Sequence, residues 1–204
     1  NRKVGESISS LIDDLCNNEK KNYPNILNNN PSLSILFNEN MTLLSNFIHI
    51  HYKENIFSKN GWSSDDFIDL LNSFKHLNYN TIFTSDLGNF SYHNKFLSAF
   101  SNVNFDNKVS HLNFKSKIHY FHNINTQDIF KLIDLSNVVI SPHGAMTVLA
   151  SYLNKNVIDI FDTNITSNSF HEFKPKNLNY KFLILTNDKI KVKNKILKNL
   201  TKFN

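Results

Sequence analysis

Residues 132–161 read LIDLSNVVISPHGAMTVLASYLNKNVIDIF. Val138, Val139 and Ile140 predict a buried strand that ends in Ser141-Pro142-His143-Gly144. A helix follows, carrying Met146, Leu149, Ala150 and Leu153 inward, and residues 157–161 predict a second apolar strand. Strand, small-residue turn, helix and strand make half of a nucleotide-binding α/β domain. The turn falls at the carboxyl end of its strand, where open parallel sheets place ligands. Gly144 and Ala145 let backbone N–H groups approach an anion, and a helix N-terminus adds partial positive charge. This stretch predicts a site for a phosphate-bearing ligand.

Working outward, the same alternation recurs. Phe47-Ile48-His49-Ile50-His51 predicts a strand. Ser64-Asp65-Asp66 opens a helix, with Ser64 as its cap and two carboxylates at the positive end of its dipole. Phe67, Leu70, Leu71 and Phe74 form its buried stripe. Residues 80–84 are the next strand, stopping at Ser85-Asp86-Leu87-Gly88, and Phe96, Leu97 and Phe100 mark a short helix. Residues 117–121 predict a strand leading into His122-Asn123-Ile124-Asn125, after which Thr126 caps a helix through Leu135. A loop over 162–179, a strand over 180–185 and a helix begun by Asp188 complete the chain. Upstream, Ile8, Leu11, Ile12 and Leu15 repeat at helical spacing, and the Asn-rich run 17–30, broken by Pro24 and Pro31, reads as a connector.

The expectation is therefore an α/β chain: a Rossmann-like, doubly wound parallel sheet over 46–204, preceded by a linker helix and connector over 1–45. No internal repeat is visible.

Composition narrows the function classes. The chain has 204 residues and a formal net charge of +5, and Arg2 is its only arginine. Asn makes up about one residue in six, well above ordinary usage; with abundant Lys, Ile and Phe, this is the mark of an AT-rich genome. Lys189, Lys191, Lys193, Lys195, Lys198 and Lys202 alternate with Ile190, Val192, Ile196, Leu197 and Leu200, the pattern of a solvated helix face. Without arginine forks, specific base reading is poorly equipped, so no nucleic-acid partner is expected. The lone Cys16 offers neither a disulfide nor a cysteine metal cluster and fits a reducing compartment. No apolar run has the length of a membrane span. A cytoplasmic location is expected, with peripheral contact at the inner membrane at most. No signal peptide is visible, and because the chain does not begin with Met an upstream segment is expected.

The chemistry-bearing residues fall at strand carboxyl ends: His51 through Lys59, Thr84 through Asp86, His122 through Asn125, and His143 through Thr147. In a doubly wound sheet these ends share one edge. Gly144, Ala145, Met146 and Thr147 could hold a diphosphate through backbone N–H groups. Lys59 could neutralise phosphate as a point charge. His49 and His51 share a strand face; without cysteine or paired carboxylates nearby, packing is expected rather than metal binding.

The layout resembles the carboxyl-terminal, donor-binding half of the lipopolysaccharide heptosyltransferase (ADP-heptose transferase) family, glycosyltransferases of the GT-B type. The family's Lys-Arg-Trp stretch is matched by Ser58-Lys59-Asn60-Gly61-Trp62 and the helix after it, and its next strand by residues 81–86. Its Asp-Thr-Gly-x-x-His-Leu-Ala signature, aligned on the shared Leu-Ala, puts His143 at the Asp, Gly144 at the Thr, Ala145 at the Gly and Val148 at the His. His-Gly-Ala after an apolar strand also resembles the donor-side loop of some eukaryotic-type O-glycan transferases. These resemblances imply a nucleotide-sugar donor bound as substrate, no cofactor, no metal, and a glycan or lipid-linked acceptor held with the catalytic base by an amino-terminal domain. They imply that His143 hydrogen-bonds a phosphate or the leaving sugar oxygen. Asp86 would bind a ribose or sugar hydroxyl, His122 and Asn123 would line the base pocket, and His171-Glu172 would lie in the loop crossing the sugar. The expected function is the donor-binding domain of a glycosyltransferase acting in surface-glycan or lipopolysaccharide assembly. The alternative is a non-catalytic nucleotide-binding or interaction module on the same fold, favoured by Val148 at the signature histidine. A GT-B-like sugar-nucleotide epimerase would need an acid/base pair that the sequence does not reveal.

Overall fold

The computed structural model describes residues 46–86, 91–104, 116–124, 126–164 and 179–203. The expected upstream helix and connector, Leu87-Gly88, Asn125 and His171-Glu172 lie outside the described residues. In chain order the elements are β1 (Phe47–Tyr52), α1 (Glu54–Lys59), α2 (Ser64–Ser73), a single 3-10 turn (Phe74–His76), β2 (Asn80–Ser85), α3 (His93–Ala99), β3 (Ser101–Asn104), β4 (Ile118–His122), α4 (Thr126–Leu135), β5 (Val138–Pro142), α5 (Ala145–Tyr152), β6 (Asn156–Phe161), β7 (Tyr180–Ile184) and α6 (Lys189–Leu200). The strands form one seven-stranded, all-parallel sheet in the order β3-β4-β2-β1-β5-β6-β7.

The central strands are buried on both faces, which explains their near-continuous apolar runs. One face carries Ile48, Ile50, Tyr52, Phe83, Tyr120, Ile140, Ile158 and Leu183 against Phe57 of α1, Phe67 and Leu71 of α2, Phe96 of α3, and Val192 and Ile196 of α6. On the other face Val139, Val157, Phe161 and Tyr180 meet Ile133 of α4 and Ala150 of α5. The first core is largely aromatic. Phe83 and Tyr120 stack with centroids 4.6 Å apart, and Tyr52 touches Phe57, Phe67, Tyr92 and Phe96. Such pairs each add about 0.5–1.5 kcal/mol beyond area burial.

Local chemistry sets the helix ends. Ser63, not Ser64, caps α2: its hydroxyl accepts from the Asp66 N–H at 3.2 Å, and the Asp66 carboxylate accepts from the Ser63 N–H at 2.8 Å. This reciprocal box needs a Ser and an acid three residues apart, a spacing that Ser63 and Asp66 meet and Ser64 does not. Asp188 caps α6 as expected, accepting from the Lys191 N–H at 3.0 Å. Thr126 is the first residue of α4 rather than its cap. In α6, Val192, Ile196 and Leu200 are buried while Lys191, Lys195 and Lys198 stay exposed. Two elements were not expected from sequence, α1 and the edge strand β3. Among the described residues no helix is long and apolar enough to cross a membrane.

Candidate functional site

The strand order diverges at one place. From β1 the chain builds β2, β4 and β3 to one side, while β5, β6 and β7 lie on the other. The helices after β1 cover one face and the helix after β5 covers the opposite face. The connections leaving β1 and β5 therefore part at a topological switch point, the place where open α/β sheets bind ligands. His143 and Gly144 follow β5 directly, and Lys53 follows β1.

Gly144 is the residue before α5, with φ 157° and ψ −157°. A Cβ placed on it would stand 3.5 Å from Lys53 Nζ. The lysine ammonium is thus brought against the start of α5, and among the described residues no carboxylate pairs with it. Helix geometry leaves the first N–H groups of α5 without intrahelical acceptors. Among the described residues Ala145 is exposed and Met146 half-buried. Thr147 turns the other way: it is fully buried, its hydroxyl donating to the Gly144 carbonyl at 3.0 Å and accepting from the Gly144 N–H at 3.2 Å. Of the four residues expected to form the cradle, Gly144 thus has its N–H taken by the Thr147 hydroxyl.

His143 Nδ1 lies 2.7 Å from Asp159 Oδ2, and the Tyr180 hydroxyl donates to the same oxygen at 2.6 Å. The imidazole stacks on Phe161 at 4.4 Å between centroids. Register explains the meeting. Ser141 pairs with Asp159 and Val157 with Tyr180, so His143, Asp159 and Tyr180 stand diagonally across β5, β6 and β7 on one face. Asp159 is fully buried, whereas the His143 side chain keeps 22% of its exposure. Burial and the neighbouring carboxylate both raise the Tyr180 phenol's pKa, keeping it a donor.

The other predicted residues separate. Lys59 is paired with Asp162 at 3.0 Å, and Asn60 reaches the same carboxylate. The pairing holds the Asp162 carboxyl down at about 2, Lys59 being its main cause. Trp62 is a packing residue, buried against Phe57, its indole donating to the Thr186 carbonyl at 2.7 Å. Asp86, at the end of β2, accepts from His51 at 3.3 Å. His51 and His49 both bond the Thr84 hydroxyl, at 2.9 and 3.0 Å, and both are buried. Burial above all holds His49 down at about 3, with His51 adding to the shift. His51 is also lowered, by burial first and by Lys53 last, against the opposing pull of Asp86. These bonds tie His49 to Thr84 of β2, and His51 to Thr84 and Asp86. His122 is buried with its ring 5.0 Å from His93, and Asn123 takes φ 55° just after β4. With β2 between β4 and β1, these two stand about 10 Å to the side of the switch point. Among the described residues no cluster of three or more His, Cys, Asp or Glu could hold a metal ion.

His143, Gly144, Ala145 and Met146 thus share the switch-point corner, Asp86 flanks it, and Lys59 is engaged elsewhere. Lys53, Asp159 and Tyr180 were missed. Asp159 had a signal, a lone carboxylate inside the apolar run Val-Ile-Asp-Ile-Phe. Lys53 had one as well, the first cation after a predicted strand end.

No protein-family model matches the sequence, and no curated protein does. Solved structures do. E. coli ADP-heptose lipopolysaccharide heptosyltransferase II superposes with TM-score 0.56 at 12% identity, covering 83% of this chain and 50% of its own. The E. coli heptosyltransferase WaaC with ADP gives 0.53 at 9%, covering 80% and 47%. UDP-GlcNAc 2-epimerase from Methanocaldococcus jannaschii gives 0.51 at 12%, covering 85% and 42%. The chain spans about half the length of the heptosyltransferases it matches. The likeness is one of fold: a GT-B-like, Rossmann-type lobe.

Proposed function

We propose that this chain is the donor-binding lobe of a GT-B-type glycosyltransferase that takes a nucleotide-sugar and transfers its sugar to a surface-glycan or lipopolysaccharide acceptor. The observation that carries this reading is the Lys53 ammonium set against Gly144 at the start of α5. A cation and the positive end of a helix dipole converge where a diphosphate would lie. As the bond between the anomeric carbon and the phosphate oxygen breaks, its electron pair leaves with the nucleoside diphosphate. Preorganised positive charge at that corner stabilises the departing anion. Lys53 takes the role first expected of Lys59. Gly144 supplies the turn's φ of 157°, a backbone conformation that residues with side chains rarely adopt. His143 stands next to the phosphate corner, within reach of the reacting atoms, and Asp86 is placed to meet a ribose or sugar hydroxyl. The donor is substrate and no cofactor is invoked. In this reading an amino-terminal Rossmann domain holds the acceptor, and the enzyme works on the cytoplasmic side of a membrane.

The test is a thermal-shift panel with ADP, UDP, GDP and CMP. Nucleotide at 100 times its Kd adds about 2.7 kcal/mol of stability. Lys53→Ala is expected to weaken binding about 10- to 100-fold, the worth of a charge-assisted hydrogen bond. Lys59→Ala, whose ammonium is exposed and already paired with Asp162, should stay within about twofold. No shift with any nucleotide would sink the donor site and favour an interaction module on the same fold.

A further inference from the structure

Charge is spread unevenly along this chain. Of its 22 Lys and Arg, six lysines fall in residues 189–204, a stretch without Asp or Glu. The remaining 16 stand against all 17 carboxylates, so residues 1–188 are close to neutral. The positive excess of the sequence is therefore carried by α6 and the turn after it. Coding bias alone would scatter lysine rather than collect its excess in one helix.

The fold sets these lysines outward. Val192, Ile196 and Leu200 bury α6 against the sheet. Asp188 caps the helix, and Lys189 pairs with Asp66 of α2 at 2.7 Å, fastening the first turn. Lys191, Lys195 and Lys198 are exposed at spacings of four and three, one stripe along about 10 Å of helix axis, and exposed Lys202 continues it. Among the described residues no carboxylate pairs with Lys191, Lys193, Lys195, Lys198 or Lys202. Lysines four apart repel each other, whereas a face kept only for solubility is served by mixed signs. Beside the stripe Ile190 is 73% exposed, the most exposed large hydrophobic among the described residues.

This combination selects a partner. Lysines act as point charges suited to a diffuse anionic surface, and Arg2 is the only arginine for planar phosphate or base recognition. An isoleucine in water among lysines gains from a lipid interface and nothing from a polyphosphate. We propose that the exposed face of α6 docks this lobe on an anionic lipid bilayer, with the lysines against the headgroups and Ile190 in the interface. The apolar stripe of α6 belongs to the core, so the helix stays on the sheet and the contact is shallow and electrostatic. The docking face shares no residue with the donor corner, so the two stand or fall separately.

Co-sedimentation of the full chain with lipid vesicles tests the face. Vesicles of equal parts phosphatidylglycerol and phosphatidylcholine should carry the protein down at about 0.1 M salt and release it at about 0.5 M. Pure phosphatidylcholine vesicles should leave it in solution. Each lysine at an anionic surface is worth about fivefold in affinity, so combined Lys191→Gln, Lys195→Gln and Lys198→Gln should weaken binding about 100-fold. Glutamine matches lysine in helix propensity, which preserves the fold of that variant. The same charge removed from other exposed positions, by combined Lys75→Gln, Lys95→Gln and Lys117→Gln, should weaken binding by less than about fivefold. Ile190→Ser should cost about three- to tenfold. Wild-type binding indifferent to lipid charge, or an equal loss from both triple variants, would overturn the docking face. Tighter binding to a single-stranded DNA oligonucleotide than to the vesicles, unaffected by Ile190→Ser, would assign the lysines to nucleic acid and overturn it too. No nucleotide ligand enters these measurements, so a failed thermal-shift panel would refute the donor site alone.

Discussion

Two histidine–aspartate pairs stand at the carboxyl ends of this sheet, and they are built in opposite senses. At β5 and β6 the carboxylate is fully buried and the imidazole partly exposed. At β1 and β2 the imidazole is buried and the carboxylate 40% exposed. The second pair belongs to a self-contained chain. His49 Nε2–H donates to the Thr84 oxygen, Thr84 donates to His51 Nδ1, and His51 Nε2–H donates to Asp86, the only assignment that satisfies every bond with neutral rings. Burial favours the neutral rings, and the bonded chain fastens β1 to β2 while His49 Nδ1 stays buried without a hydrogen-bond partner among the described residues. In the first pair the imidazole keeps 22% of its exposure. The lesson is that the same two residue types either tie strands together inside the sheet or leave an imidazole partly exposed at its edge, according to which partner the sheet buries.

Acid should separate the two most sharply. His49, lowered to about 3, and His119, lowered to about 4, both by burial, bind protons in the unfolded chain before the folded one. Stability therefore falls as pH drops below the unfolded value near 6.5, by about 1.4 kcal/mol per pH unit for each histidine, and levels off below the folded values. Denaturant melts between pH 7 and 4 measure the slope. A flat profile would mean that His49 on β1 and His119 on β4 charge freely within the fold, and that burial of the His49 ring does not set the β1–β2 network apart.

Thr84→Val comes next. It leaves the His49 and His51 nitrogens facing a methyl group and should cost about 1–3 kcal/mol while nucleotide shifts persist. Loss of nucleotide binding with unchanged stability would move this network into the site. The smallest effect is expected from Asp86→Ala. Its carboxylate is half in water and its bond to His51 is long, so stability should change by less than about 1 kcal/mol in chemical denaturation. A loss as large as that of Thr84→Val would show that Asp86, like Asp159, holds its histidine.

Much of the fold was legible because strand and helix periods are long-range patterns of burial. Phe67, Leu70 and Leu71, or Val138 through Ile140, report their buried faces directly. Two short elements escaped for that reason. α1 buries only Phe57, giving no apolar repeat, and β3 is a four-residue edge strand reading Ser-Asn-Val-Asn. The candidate site was legible only in outline. His143 and Gly144 follow a strand visible from sequence, but choosing between Lys53 and Lys59 required knowing which loop reaches over β5. Lys59 lies one helix too far along and is drawn to Asp162.

By itself the sequence determined the alternation of buried strands and one-sided helices, and with it the turn at Ser141-Pro142-His143-Gly144, because local hydrophobic period needs no partner to be read. Only the tertiary structure decided that β1 lies beside β5, bringing Lys53 to Gly144, and that Asp159 lies between His143 and Tyr180. Strand order and register join residues tens of positions apart. Which cation meets which amide, and which carboxylate holds which imidazole, are properties of that neighbourhood rather than of any one segment.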